Sequence, residues 1–291
     1  MIAENIPVEY CFPKTVEEAY KLKQMYGDGA HFIAGGTDLL LEKGNIRPHL
    51  LIDLTRIPAL QRLEVDDKRI LIGSAVTYSR LLGVNPILTR VPFLANAIRT
   101  IGGRQIRNVA TLAGNLINAS PAGDTLPSLY CLEAQVGIDG PLGQRCLPVH
   151  EFVLGVRRTA LISSEIVTQV SFEFPGPGWY TAYEKLGLRR AMAISVANVA
   201  LMLKVEDRRV VQARIALGAV APTVIRVPEV EAYLTDHTLE ENSIEEAARL
   251  AAESCIPIDD IRGSARYRKE VVCGLMRRGL HTLYRQINGQ E

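Results

Sequence analysis

The sequence predicts an α+β fold, in which a first part mixes helices with short strands and a second part combines an antiparallel sheet with helices. Two observations carry this prediction. Between residues 14 and 174, helical patterns and short apolar runs alternate around Gly-rich turns. From residue 193 onward, two long apolar stretches flank a turn at Asp207-Arg208, and helical patterns follow them. The second part is therefore predicted to contain a hairpin accompanied by helices.

The elements of the first part are predicted from caps, turns and apolar runs. Thr15 and Glu18 form a capping-box pattern, so a helix is expected to extend to about Tyr26 and to end at the glycines that follow. A strand at residues 31–34 leads into Gly-Gly-Thr-Asp and a helical turn at residues 39–41. Further strands are expected at residues 50–54, 63–65, 69–72, 135–139, 145–148 and 166–174, and further helices at residues 77–82, 92–99 and 125–134.

Residues 175–178, Pro-Gly-Pro-Gly, are the best domain boundary in the chain, because neither regular structure continues through them. We expect a first domain over residues 1–176 and a second over residues 177–291. In the second domain, Ser243 and Glu246 are predicted to form the capping box of a helix. The expected elements are strands at residues 193–206 and 210–220 and helices at residues 227–234, 244–254 and 264–284, the last with an apolar stripe at Val272, Leu275 and Leu283.

Composition excludes several classes of protein. The chain has 291 residues, of which 47% are apolar and 22% charged, and its net charge is +1, so neither a nucleic-acid partner nor a membrane surface is expected. No apolar run is long enough to span a membrane, and the first residues lack a secretory pattern, so a cytoplasmic location is expected. The five cysteines are scattered and lack metal-site spacing, so no metal site is expected on this chain.

Residues 100–124 are the most unusual stretch. Four glycines alternate there with small and amide residues close to Arg104 and Arg107, which predicts neither a plain helix nor a plain strand. Two readings remain open, namely a series of backbone turns against a buried phosphate-bearing ligand or tight turns in an ordinary core. The Gly-Gly-Thr-Asp turn at residues 35–38 offers a second phosphate cradle. Two cradles suit a dinucleotide, but neither belongs to a doubly wound parallel sheet, which disfavours a nicotinamide site of the Rossmann type.

These residues carry a resemblance to a known family. Residues 34–38, Ala-Gly-Gly-Thr-Asp, together with residues 106–115, Ile-Arg-Asn-Val-Ala-Thr-Leu-Ala-Gly-Asn, and residues 120–124, Ser-Pro-Ala-Gly-Asp, resemble the flavin subunits of molybdenum hydroxylases. Similar patterns continue at residues 51–54, 72–77 and 217–223, so the resemblance covers nearly the whole chain. This family includes the medium subunits of xanthine dehydrogenase-like, nicotinate dehydrogenase-like and carbon monoxide dehydrogenase-like complexes.

The resemblance implies a two-part FAD-binding domain of the vanillyl-alcohol oxidase or PCMH-like type, with parts at about residues 1–55 and 56–176, and a separate C-terminal α+β domain. It implies that residues 32–39 wrap the FAD diphosphate and that residues 111–115 form the second wall of the site. It further implies that Asp124 contacts the ribityl region, Ile101 packs near the isoalloxazine, Ile166 lies near the ring or adenine, and Lys185 lies at the ring edge. The two segments comprise Phe32, Ile33, Ala34, Gly35, Gly36, Thr37, Asp38 and Leu39, and Thr111, Leu112, Ala113, Gly114 and Asn115.

The resemblance also implies partners. An iron–sulfur small subunit with [2Fe-2S] clusters and a molybdopterin large subunit are expected, assembled as a dimer of heterotrimers. Electrons would reach FAD from the clusters and leave to NAD⁺, another carrier or oxygen. NAD⁺-using members have acidic residues after an Arg pair, whereas Ala-Met-Ala follows Arg189-Arg190 here. Two alternatives remain open: a stand-alone flavin-dependent oxidoreductase and a degenerate assembly subunit that has lost FAD.

Overall fold

A small parallel sheet and one helix begin the described chain. The computed structural model describes residues 8–41, 48–189 and 191–290. Strands β1 (Glu9–Cys11), β2 (Ala30–Ile33) and β3 (Leu50–Asp53) pair in parallel, with β3 in the middle, and helix α1 (Val16–Tyr26) packs beside them. Thr15 caps α1 as predicted, but the Glu18 carboxylate accepts from the N–H of Lys14 instead of reaching Thr15. Strand β1 was not predicted.

An antiparallel sheet forms the centre of the first part. In chain order, the strands here are β4 (Leu63–Val65), β5 (Arg69–Gly73), β6 (Gln135–Asp139), β7 (Arg145–Pro148), β8 (Val153–Gly155), β9 (Arg158–Thr159) and β10 (Ile166–Glu173). Within the described residues the sheet order is β4-β5-β10-β6-β7, so β10 is central, whereas β8 and β9 form a separate hairpin that was not predicted. Val170 of β10 pairs with Ile72 on one side and Val136 on the other, and all three are buried.

Short helices cover this sheet. They are α2 (Tyr78–Leu81), α3 (Asn85–Thr89), α4 (Pro92–Arg99), α5 (Arg104–Arg107), α6 (Leu112–Asn118), α7 (Leu126–Cys131) and α8 (Val149–Phe152). The predicted bounds of α4 are confirmed, whereas α7 ends early because the chain takes a positive φ of 52° at Glu133. Residues 100–124 form no single plain helix or strand, as predicted, but the short helices α5 and α6 within them were not predicted. Thr111 starts α6 by accepting from the N–H of Gly114, which propensity alone did not indicate.

The second part is a twisted antiparallel sheet with three helices on one face. The strands are β11 (Trp179–Gly187), β12 (Ser195–Glu206), β13 (Arg209–Gly218) and β14 (Ile225–Arg226), in that spatial order, and the helices are α9 (Pro228–Leu234), α10 (Glu241–Glu253) and α11 (Ala265–Ile287). The turn at Asp207-Arg208 is confirmed, but β11 was not predicted. The predicted capping box of α10 is wrong: Glu240 is the N-cap, and Ser243 returns the hydrogen bond from the third position.

The second sheet is buried on both faces. One face contacts α10 and α11, where the predicted stripe of Val272, Leu275 and Leu283 is buried. The other face joins the core of the first part through Ala200 and Met202. Residues 174–178 connect β10 to β11 between two packed sheets, and the division of the chain at residue 176 stays a prediction.

Candidate cofactor site

A cavity of about 690 Å³ lies between the turn after β2, helix α6, the start of β10 and the loop between β11 and β12. This volume is in the usual range for sites that hold small organic ligands. Fifteen of the seventeen residues predicted to contact a cofactor line it. They are Phe32, Ile33, Ala34, Gly35, Gly36, Thr37, Asp38, Leu39, Ile101, Thr111, Ala113, Gly114, Asn115, Asp124 and Ile166. Their individual roles toward a cofactor stay predictions.

The turn after β2 presents backbone donors to the cavity. Within the described residues, the N–H groups of Gly35, Gly36 and Thr37 have no hydrogen-bond acceptor. A Cβ at Gly35 would overlap the carbonyl oxygen of Val109, so only glycine lets this turn lie against the neighbouring segment. Gly36 has φ +66°, which also favours glycine. The 3₁₀ turn that follows, Leu39–Leu41, is too short to add an appreciable helix dipole, so these N–H groups are the donors available to a phosphate.

Helix α6 holds the side chain of Asn115 in one orientation. The Asn115 Oδ1 atom accepts a hydrogen bond of 2.8 Å from the Thr125 hydroxyl. The Nδ2 group of Asn115 has no acceptor in the described part of the chain, and Asn115 lines the cavity. The amide is therefore fixed so that its donor end is free for a ligand.

Asp124 connects the cavity wall to the second sheet. Its Oδ1 atom accepts from Ser195 Oγ at 2.6 Å, Asn198 Nδ2 at 3.1 Å and Tyr183 OH at 3.2 Å. Its Oδ2 atom accepts from Lys185 Nζ at 2.6 Å. Burial and the charge of Asp124 raise the pKa of Tyr183 well above its ordinary value, so Tyr183 stays a neutral donor. A carboxylate has about four acceptor positions, so the one on Oδ2 beside Lys185 remains for a ligand.

Two predicted residues do not line the cavity. Leu112 is fully buried in the core on the other side of α6, because Leu112 and Leu116 share one face of that helix. Lys185 lies behind Asp124, and its ammonium group contacts the cavity only through that carboxylate.

The floor of the cavity contains two residues that sequence reasoning missed. Ser74 and Tyr78 follow β5 and are 7% and 1% exposed, and both line the cavity. Neither hydroxyl oxygen has a hydrogen-bond partner within the described ranges. Residues 72–77 belong to the pattern that resembles the family, and this resemblance was the available indication that the segment lies near the cofactor site.

Apolar and charged groups complete the walls. Ile101, Ile106 and Val167 provide apolar surface. Glu165, which was also missed, is paired with Arg145 at 2.6 Å, and this hydrogen-bonded pair lowers the pKa of the Glu165 carboxyl. Arg157, on the β8–β9 hairpin, lines the cavity as a cation. Further lining residues that were not predicted are Leu41, Leu54, Gly102, Ala110, Ile117, Asn118, Ser120, Ala122, Gly123, Leu161, Met192, Ala193 and Ile194.

Arg107 has a structural role. Its guanidinium donates to the carbonyl oxygens of Arg99, Ile101 and Gly102, at 3.2, 2.9 and 3.2 Å. These bonds brace the turn before α5, so this arginine is already used by the backbone. Its nearness to the glycines in sequence therefore reflects support of a turn.

The loop between β11 and β12 forms one edge of the cavity. Met192, Ala193 and Ile194 line it, and Arg189 donates to the Met192 carbonyl oxygen. Arg190, the second residue of the predicted Arg pair, lies outside the described residues. The described residues of this loop that line the cavity are apolar, and none is acidic.

Neither a metal-binding cluster nor a membrane-spanning helix is found in the described residues. No group of three or more His, Cys, Asp or Glu side chains in these residues is placed to hold a metal ion. None of the helices described here combines the length and the apolar character that crossing a membrane requires.

The predicted dinucleotide fits the cavity chemically. FAD has an oxygen-rich diphosphate and ribityl chain between two flat ring systems. The cavity offers unpaired N–H groups at Gly35–Thr37, the free amide of Asn115 and two unpartnered hydroxyls, all of which can donate to such oxygens. Apolar residues such as Ile101 and Ile166 offer surfaces for flat rings. The residues present therefore suit FAD.

Comparison with known families covers most of the chain. Residues 6–175 match the family described as FAD binding domain in molybdopterin dehydrogenase. Residues 181–283 match the family described as CO dehydrogenase flavoprotein C-terminal domain.

Curated relatives match over nearly their full lengths. The carbon monoxide dehydrogenase medium chain of Hydrogenophaga pseudoflava is 31% identical over 280 residues, covering 95% of this chain and 96% of the relative. The nicotine 6-hydroxylase medium subunit of Paenarthrobacter nicotinovorans is 33% identical over 273 residues, covering 93% and 95%.

Solved structures share the fold, and they confirm the predicted fold class. A carbon monoxide dehydrogenase from Hydrogenophaga pseudoflava that lacks the Mo-pyranopterin moiety of the molybdenum cofactor superposes with a TM-score of 0.90 at 31% identity, covering 95% of this chain and 97% of that one. Quinoline 2-oxidoreductase from Pseudomonas putida 86 gives a TM-score of 0.90 at 25% identity, with 98% of each chain covered.

Proposed function

Because this chain belongs to the family of FAD-binding subunits of molybdenum hydroxylases, we propose that it is the electron-transfer subunit of a multi-subunit, molybdopterin-dependent hydroxylase or dehydrogenase. The observation that carries the proposal is a cavity with unpaired donors at the family's two Gly-rich segments. The family is one of oxidoreductases, and FAD supplies the two-electron and one-electron chemistry when it is bound.

Different residues of the cavity would bind different parts of FAD. The N–H groups of Gly35, Gly36 and Thr37 and the Asn115 amide would donate to the diphosphate, whose charge Arg157 would partly balance. Asp124 would accept from the ribityl chain through Oδ2. Ile101 would pack near the isoalloxazine, and Ile166 near the ring or the adenine.

The Asp124–Lys185 pair would hold fixed charges at the flavin end of the site. Both side chains are about nine-tenths buried, and the Asp124 carboxylate is further held by Tyr183, Ser195 and Asn198. Lys185 also lies 3.4 Å from the Thr100 carbonyl oxygen. A buried, hydrogen-bonded ion pair of this kind keeps a fixed field at the ring edge and excludes water from it.

The electrons would come from outside the chain. The described residues contain no group of three or more His, Cys, Asp or Glu side chains placed to hold a metal ion. We therefore propose a partner subunit with [2Fe-2S] clusters as donor and a molybdopterin-containing large subunit as the site of substrate oxidation, assembled as a dimer of heterotrimers. The relatives named medium chain or medium subunit support an assembly of several chains. NAD⁺, another carrier or oxygen would accept the electrons.

A visible absorption spectrum of the chain purified from its native host, with the copurifying chains identified, tests the proposal. Flavin bands, iron–sulfur absorbance and two partner chains are expected. Flavin bands on a chain without partners would instead indicate a self-contained flavoenzyme. A colourless chain that does not take up added FAD would leave an assembly role only.

A further inference from the structure

The buried floor of the cavity joins the two walls. Ser74 directly follows β5, and Tyr78 is the first residue of α2. The N–H of Ser74 donates to the Thr168 carbonyl at 3.0 Å, and the N–H of Tyr78 donates to the Ala110 carbonyl at 2.9 Å. The backbone of the floor is therefore fixed to β10 on one side and to the approach of α6 on the other.

The Tyr78 hydroxyl is one of two buried hydroxyls of the floor that have no hydrogen-bond partner among the described residues. The residue is 1% exposed, and no described atom is in hydrogen-bonding position to its oxygen. The Thr125 hydroxyl is nearby but is directed to Asn115, 2.8 Å away. Leaving a buried hydroxyl unpaired costs about 1–3 kcal/mol, so a protein rarely keeps one without a use.

The Tyr78 hydroxyl lies within electrostatic range of two carboxylates that line the cavity. The charges of Asp124 and Asp38, which line the cavity at different walls, both act on it and, with the larger effect of burial, raise the pKa of Tyr78. Tyr78 therefore remains protonated and able to donate. Ser74, whose hydroxyl is also unpartnered, lines the same floor.

We infer that the Tyr78 hydroxyl, assisted by that of Ser74, donates a hydrogen bond to an oxygen of the diphosphate–ribityl chain of the bound dinucleotide. The inference rests on the proposed function. Of the parts of FAD, this chain is the one rich in acceptor oxygens, whereas the two ring systems present mainly flat surfaces to a wall. The floor would thus complete a ring of donors formed by the Gly35–Thr37 turn and Asn115.

The experiment uses the full chain freed of flavin. The variant Tyr78→Phe removes only the hydroxyl oxygen, and Ser74→Ala does the same at the second position. Tyr130→Phe is the matched control, because Tyr130 is 6% exposed, lies in the same core and does not line the cavity. Affinity is measured by titration of FAD fluorescence, and the melting temperature is measured with and without FAD.

Tyr78→Phe is expected to weaken FAD binding at least about tenfold and to leave the melting temperature of the flavin-free chain unchanged or higher. Ser74→Ala should have a smaller effect in the same direction, and Tyr130→Phe should leave FAD affinity unchanged. A purely structural hydroxyl would give the opposite pattern, with a lower melting temperature of the flavin-free chain and unchanged affinity. That pattern would overturn the inference while wild-type binding upholds the proposed function. Failure of the wild-type chain to bind FAD would overturn both.

Discussion

The turn after β2 and the segment from Thr111 to Asp124 line the same cavity, but their polar groups are satisfied differently. In the turn, the N–H groups of Gly35–Thr37 lack acceptors among the described residues, and glycine conformations give the turn its shape. In the segment, Thr111 caps α6, Thr125 holds Asn115 and four donors surround Asp124. The turn depends on backbone geometry, and the segment depends on a side-chain network.

This difference teaches which kind of change each wall tolerates. A side-chain substitution in the network leaves several hydrogen-bonding groups without a partner at once, because their hydrogen bonds converge on one or two atoms. A substitution in the turn acts through backbone strain and leaves few partners unsatisfied. Loss of stability should therefore be greatest in the network, and loss of cofactor affinity without loss of fold should be found at the donors that face the cavity.

The largest expected effect is on the network itself. Asp124→Leu leaves the Lys185 ammonium buried without a counter-charge, and the unfolding free energy should fall by about 3–5 kcal/mol. Denaturant unfolding of the flavin-free chain measures this. The double variant Asp124→Leu with Lys185→Met removes both charges and should recover part of the loss. A loss below about 1 kcal/mol in the single variant would show that Asp124 is not the connection between wall and sheet.

A smaller effect separates the two functions of Asn115. Asn115→Asp keeps an acceptor for Thr125 but replaces the free donor by a negatively charged oxygen, so FAD affinity should fall by about 1.5–3 kcal/mol with little change in melting temperature. Asn96→Asp makes the same charge change at an exposed residue outside the cavity and is the matched control. Equal FAD affinity in the Asn115 variant and wild type would remove Asn115 from the diphosphate site.

The smallest effect concerns the turn. Gly36→Ala and Gly27→Ala both place a Cβ at a positive φ, +66° and +54°, and each should cost about 1–3 kcal/mol of stability. Only Gly36 lines the cavity, so only its variant should also bind FAD more weakly. Thermal unfolding and FAD titration of the pair measure the two effects separately. Identical FAD affinities for the two variants would mean that the turn does not position the cofactor.

The sequence predicted those parts of the site whose structure is local. The 35–38 turn and the 111–115 segment lie at the cavity because glycines and caps act within a few residues. Ser74, Tyr78 and Glu165 were missed because only the pairing of β5, β6 and β10 brings them to the cavity. Leu112 belongs to a predicted segment but faces the core. Helix α6 was not predicted, so the sequence did not indicate which residues of this segment face the core and which face the cavity.

The fold shows the same division between local and distant causes. Helices α1 and α4 begin where Thr15 and Pro92 predict, because caps and N-terminal prolines act locally. The start of α10 was misplaced because Ser243 was taken as the N-cap, whereas its hydroxyl oxygen accepts from the backbone N–H of the true N-cap, Glu240. Strand β11 was missed because three polar residues, Tyr183, Glu184 and Lys185, interrupt its apolar pattern. Their partners, Asp124 and Arg278, lie far away in the sequence.

The single tryptophan, Trp179, opens the strand that carries Tyr183 and Lys185 to Asp124. Its fluorescence reports on the second sheet, yet the strand is tied to the cavity wall a few residues further on. A ligand that binds only the folded chain stabilises it by mass action, in proportion to the logarithm of its free concentration above Kd. The rise of the unfolding midpoint recorded from Trp179 therefore reports cofactor binding through a residue that the chain already contains.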